Sequence, residues 1–208
     1  MLALTRKACC AAAALAAAVV LLAALSGAAP GRNFRVSTQH FRMTWTELRL
    51  IEYAPCRVTM EGSFHSTTMA KVRGTLIGSI TRVDVAACTL GSFTALTETL
   101  PWHLRYEAFT APEGLPRISS VRLDIVGAAF LARVETAWNC LFISTTTRPL
   151  AFDMAREAGG GITALTVVEN TWLALFRALT LCPAEGQVRG SGNITELGST
   201  TAISISLI

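Results

Sequence analysis

Residues 97 to 109 read TETLPWHLRYEAF, an almost unbroken two-residue alternation with a proline in its middle. On one side stand Leu100, Trp102, Leu104, Tyr106 and Ala108; on the other stand Thr97, Thr99, Pro101, His103, Arg105 and Glu107. Successive side chains of a strand point to opposite faces, so this spacing predicts a strand with one apolar face and one wet one. Strands buried on both faces in parallel sheets run continuously apolar, whereas half-wet alternation belongs to antiparallel sheets. Pro101 has no N–H to donate to a ladder, which places its strand at an edge or at a bulge.

The same period recurs along the chain. In FRMTW, Phe41, Met43 and Trp45 oppose Arg42 and Thr44; in CRVTMEGSFH, Val58, Met60 and Phe64 oppose Arg57, Thr59, Glu61 and His65. VRLDI (121–125) and AISISLI (202–208) repeat it, and glycine- and proline-bearing turns are expected at APEGLP (111–116), AGGG (158–161) and GSG (190–192). The expectation is an all-β fold, an antiparallel meander forming a sandwich or a partly closed barrel. Two stretches depart from the pattern. TMAKVRGTLIGSITRVDVAAC (68–88) spaces Val72, Leu76 and Ile80 as a helix would, but Gly74 and Gly78 disfavour a helix by about 1 kcal/mol each, so a strand with a bulge is expected. ENTWLALFRAL (169–179) fits a short helix capped at Asn170 or a strand buried on both faces.

The N-terminus speaks to compartment. Arg6 and Lys7 precede the apolar run CCAAAALAAAVVLLAAL, and the small residues SGAAP follow it, the order of a secretory signal peptide. Cleavage is expected after Ala28, giving a signal of residues 1–28 and a single disulfide-bonded β domain of residues 29–208. Arg6 and Lys7 then leave, so the formal +4 overstates the exported charge, and Lys71 is its only lysine. Without a cluster of basic residues to neutralise a row of phosphates, nucleic acid is excluded as a partner. Cys56, Cys88, Cys140 and Cys182 remain, an even number with no C-x-x-C pair, which reads as two disulfides in an oxidising compartment. Four cysteines allow three connectivities; the tendency of sequential strands to be neighbours favours Cys56–Cys88 with Cys140–Cys182.

The alanine-rich leader, the phrase LPWHLRY (100–106) and the four spaced cysteines resemble a group of uncharacterised exported proteins of GC-rich actinobacteria. The resemblance implies a bacterial, extracytoplasmic protein and brings no activity and no catalytic residue with it.

Catalytic signatures are sparse. No G-x-S-x-G nucleophile elbow occurs, GGGIT lacks the lysine of a phosphate loop, and His40, His65 and His103 are too far apart in sequence to form a local chelate. Neither a metal nor a cofactor is expected. His103, Arg105 and Glu107 could do acid–base work, but an outward row of mixed charge is also the ordinary wet side of a strand. Glu98 falls in line with Leu96, Leu100 and Trp102; inside a barrel it would be a polar anchor beside Trp102 and Tyr106, and at a strand's start it would lie on the rim. Glu98, Trp102, His103 and Tyr106 are therefore the candidate ligand-binding residues. The function expected is a secreted, non-enzymatic β-module of the cell envelope. The alternatives are a carrier of a small apolar ligand in a barrel cavity, and a hydrolase-like enzyme pairing His103 with a carboxylate such as Glu107 or Glu98.

Overall fold

The computed structural model describes residues 33–49, 55–86, 88–89, 92–112, 114–115, 118–134, 138–155, 164–177, 182 and 185–208. The leader of residues 1–28 and the turn expected at 158–161 lie outside the described residues. Residues Asn33–Ile208 make one compact unit. Its strands are β1 (Phe34–Val36), β2 (His40–Arg49), β3 (Pro55–Phe64), β4 (Thr68–Met69), β5 (Leu76–Ala86), β6 (Ser92–Ala95), β7 (Trp102–Thr110), β8 (Ser120–Val126), β9 (Ala129–Val134), β10 (Trp138–Ile143), β11 (Leu150–Ala155), β12 (Ala164–Arg177), β13 (Glu185–Glu196) and β14 (Ile205–Leu207).

The fold is all-β and antiparallel. β2, β3, β5, β7, β8, β11, β12 and β13 pair in chain order, and β13 returns to β2, so the meander curls into a barrel-like ring rather than a sandwich. The far half of β12 pairs with β10, and the sheet continues through β9 to β6. This extension folds back on the ring, since Phe130 of β9 meets Trp102 of β7 edge to face at 5.3 Å. A small second sheet, β14-β1-β4, packs Phe34 against Tyr106 and Phe109, with Lys71 Nζ over the Phe34 and Phe109 rings.

Inside the ring the apolar rows meet. Met43 and Trp45 of β2, Val58 and Met60 of β3, Leu104 of β7, Leu123 and Ile125 of β8 and Phe152 of β11 are all buried. Trp45 reaches Phe152 edge to face at 6.3 Å, a contact between strands that are not neighbours in the ring. Each such large side chain contributes about 1.5–3 kcal/mol by leaving water. The disulfides are Cys56–Cys88 and Cys140–Cys182, the expected pairing, with sequence separations of 32 and 42. The first ties the start of β3 to the residues after β5; the second ties β10 to the segment between β12 and β13.

Several expectations need correction. Residues Thr97–Thr99 form a 3-10 turn, not the start of a strand. Thr99 Oγ1 donates to the Leu96 carbonyl at 2.7 Å and accepts from Trp102 Nε1 at 2.7 Å, so the turn satisfies the buried indole. Pro101 therefore sits just before β7, and β7 is an interior strand between β5 and β8, not an edge. The β7–β8 register shifts between Tyr106 and Ala108, which leaves Ala108 exposed and brings the next residue, Phe109, against Phe34. Residues 68–88 are two strands, β4 and β5, separated by a turn at Gly74 (φ 80°), and Val72 is exposed. β5 is bulged twice, at Ile77 and at Thr81, which explains why its apolar residues follow no single period. The short helix considered for residues 169–179 is strand as far as Arg177, with residues 178 and 179 outside the described set. GSG at 190–192 is no turn either, since it lies within β13.

The alternation of β7 generates a paired stability test. Trp102 is 0% exposed, so Trp102→Ala should destabilise the fold by about 3–5 kcal/mol. His103 is exposed on the opposite face, and His103→Ala should stay within about 0.5 kcal/mol of wild type. Denaturant unfolding of the two variants measures both, and a costly His103 with a tolerant Trp102 would reverse the faces.

Candidate functional site

β7 separates the four residues singled out from the sequence. Trp102 and Tyr106 point into the core, while His103 faces outward and Glu98 is exposed on the 3-10 turn. The structure thus places Glu98 on the rim rather than inside the ring. Burial raises the Tyr106 hydroxyl above its ordinary pKa, with Glu107 adding to the effect. His103 lies between Ser79 of β5 and Val126 of β8 in the ladder, and its side chain makes no hydrogen bond or ion pair among the described residues. Among those residues, no three His, Cys, Asp or Glu side chains converge as a metal site would require.

The rest of the outward row of β7 is tied up in ion pairs. Arg105 faces Asp124 of β8 at 3.7 Å, Glu107 pairs with Arg73 from the turn before β5, and Arg122 of β8 holds Asp153 of β11 through Nε at 3.1 Å. Asp124 is 3% exposed. Burial lifts its carboxyl above the usual range and Glu107 pushes the same way, while Arg105, Arg122 and Arg73 pull it back. Arg105 Nε is buried with no acceptor. This face is an electrostatically closed network in which each carboxylate already has a cation.

A second polar face is built differently. The outward rows of β2, β3 and β5 line a hollow of about 440 Å³ formed by Arg42, Thr44, Thr46, Arg57, Thr59, Glu61, Arg82 and Asp84. Register sets its layout in rows across the strands. Arg42, Glu61 and Arg82 are neighbours in one row, Thr44, Thr59 and Asp84 in the next, and Arg57 stands opposite Ala86 in the third. Arg42 Nε donates to Glu61 Oε1 at 2.9 Å and Arg82 approaches Glu61 Oε2 at 3.4 Å, so Glu61 is held from both sides. Arg57 and Asp84 make no side-chain hydrogen bond or ion pair among the described residues. The hollow thus offers a free guanidinium fork, a free carboxylate and threonine hydroxyls, in fixed register on a rigid sheet.

No protein family, curated protein or solved structure matches this chain. The hollow was missed in the sequence although the signal was partly visible: FRMTW and CRVTMEGSFH already place Arg42, Thr44, Arg57, Thr59 and Glu61 on outward rows. Periodicity shows which face a residue takes. It does not show which strand lies alongside, and only the β3–β5 register brings Asp84 to Thr59.

Asp124 generates a pH test. Its folded pKa is raised, so the folded protein keeps a proton over a range in which the unfolded chain has lost it. Its contribution is fully present below the unfolded pKa and is lost as pH rises through the folded one. Compared with Asp124→Asn, which cannot ionise there, the wild type should therefore lose relative stability as pH rises from the acid side to neutrality. Parallel denaturation curves of the two proteins across that range check the sign, and a wild-type advantage that grows with pH would contradict it.

Proposed function

We propose that the protein is an exported, non-enzymatic β-module that acts at the cell envelope through the outward face of β2, β3 and β5. The observation that carries this reading is the contrast between inside and outside. The inward rows are filled by buried side chains that meet across the ring, while Arg57 and Asp84 stand unengaged in an open hollow. The two disulfides support an oxidising compartment. The outward rows of β2, β3, β5, β7 and β8 carry arginine, threonine, aspartate and glutamate, the reverse of the apolar outer band of a barrel that spans a membrane. The basic–apolar–small leader adds export, with cleavage after Ala28. Among the described residues the His103 side chain has no carboxylate partner, which weighs against the enzyme reading.

A carrier of a small ligand is the second reading, on one observation: Trp45 Nε1 is buried in the ring with no acceptor. A long-chain fatty acid that changed tryptophan fluorescence saturably would favour it, and a flat titration would remove it.

The main reading is tested by export and sedimentation. The protein recovered from the envelope or medium should begin at Ala29 and carry no alkylatable thiol at Cys56, Cys88, Cys140 or Cys182. Purified protein should sediment with isolated cell-wall material, and the double variant Arg42→Ala/Arg57→Ala should stay in the supernatant. Free thiols would contradict the compartment, and equal sedimentation of the double variant would contradict the face.

A further inference from the structure

Resting on that reading of the β2–β3–β5 face, we infer that the hollow binds a carboxylated sugar, a uronic-acid residue of an acidic polysaccharide, with Arg57 holding the carboxylate and Asp84 accepting from the sugar hydroxyls. Among the described residues, three guanidiniums face two carboxylates in the hollow. Arg42 and Arg82 are already committed to Glu61, so a ligand meets one open cation, Arg57. That matches a ligand with one negative charge per unit. A guanidinium fork offers a carboxylate two parallel hydrogen bonds.

The remaining groups select for hydroxyls. Thr44, Thr59 and Asp84 form one cross-strand row directly beside the row of Glu61. Directly opposite residues lie about 5 Å apart, a separation that two non-adjacent hydroxyls of one sugar ring can span. Threonine hydroxyls donate and accept, and Asp84 only accepts, so the row suits a partner rich in O–H donors. A phosphate chain brings dense negative charge and no such donors, and it would meet Glu61 and Asp84 at close range. Among the described residues the lining holds no aromatic side chain, so these groups give a neutral sugar no ring to stack on and no charge to meet. The ligand must be both charged and hydroxylated.

The test is calorimetric titration of the disulfide-bonded protein with oligogalacturonate, with a neutral maltooligosaccharide of matched length and with polyphosphate, at low and at physiological salt. Oligogalacturonate should bind saturably and weaken with salt, and the neutral oligomer should not bind. Arg57→Ala should lower affinity by about tenfold or more, and Arg57→Lys should not restore it, because an ammonium cannot make the paired contact. Asp84→Asn should weaken binding, since the carboxylate is the stronger acceptor of a hydroxyl. Arg57 and Asp84 are exposed, so these variants should unfold with wild-type midpoints. Polyphosphate binding as tight as that of oligogalacturonate, an unaffected Arg57→Ala, or tighter binding by Asp84→Asn would each overturn the inference. Sedimentation with cell wall but no oligogalacturonate binding would overturn the ligand class alone and leave the envelope reading standing. Loss of both would overturn both.

Discussion

The ring depends on β13 presenting no side chain to Trp45. Gly192 is the residue opposite Trp45 in the β2–β13 ladder, and a Cβ built on it would lie 2.2 Å from the Thr44 carbonyl oxygen and 2.8 Å from Trp45 Cδ1. Gly190 is similarly crowded, 2.9 Å from the Glu47 carbonyl oxygen. With no Cβ at Gly190 and Gly192, the β13 backbone can press against β2 there while the indole, fully buried, takes the interior space beside it and reaches Phe152. A larger residue would have to push β13 away, and β13 is the strand that brings the meander back to β2. The indole N–H is left without an acceptor inside this seam, a penalty of about 1–3 kcal/mol, which the packing around Trp45 offsets.

The same compression recurs between β3 and β5. A Cβ at Gly62 would sit 2.2 Å from the Ser79 carbonyl oxygen, and one at Gly78 would sit 2.5 Å from that of Ser63. These approaches lie beside the bulges at Ile77 and Thr81, and bulges raise local twist and bend a strand. Glycine and bulge together let a sheet of large inward residues curve far enough to close. In sequence both devices look like noise: glycines read as turns, and bulges read as broken periodicity.

That accounts for what was legible and what was not. Where a strand keeps its pleat, as in Phe41–Trp45, Cys56–Phe64 and Trp102–Tyr106, the alternation alone places the side chains correctly, because burial is decided by a local period. It fails at Ala108, one residue past the bulge at Glu107, and there is no alternation to follow across Val72 and Leu76, both exposed, where a turn and a bulge reset the phase. The disulfide pairing was legible for a topological reason, since β3 and β5 are neighbours in a meander with only the two-residue β4 between them in the chain. The hollow was not, because its chemistry belongs to three strands at once. Each contributes an unremarkable wet row, and the coincidence of Arg57, Thr59 and Asp84 exists only after register is set.

The two polar faces also differ in what holds them. Around β7 and β8 the charges compensate one another, so that face is finished by its own ion pairs and offers little to a partner. On β3 and β5 the covalent framework does the positioning instead. Arg57 directly follows Cys56, and since the cysteine is buried the arginine must point outward. Arg57 and Ala86 form the last pair of the β3–β5 ladder, and the Cys56–Cys88 bridge closes the two strands just beyond that point, where a ladder would otherwise fray. The bridge therefore holds the end of β3 that carries Arg57 against the end of β5 that carries Asp84. Groups fixed in this way lose less freedom on meeting a ligand, so a polar hollow can bind through its hydrogen-bonding groups.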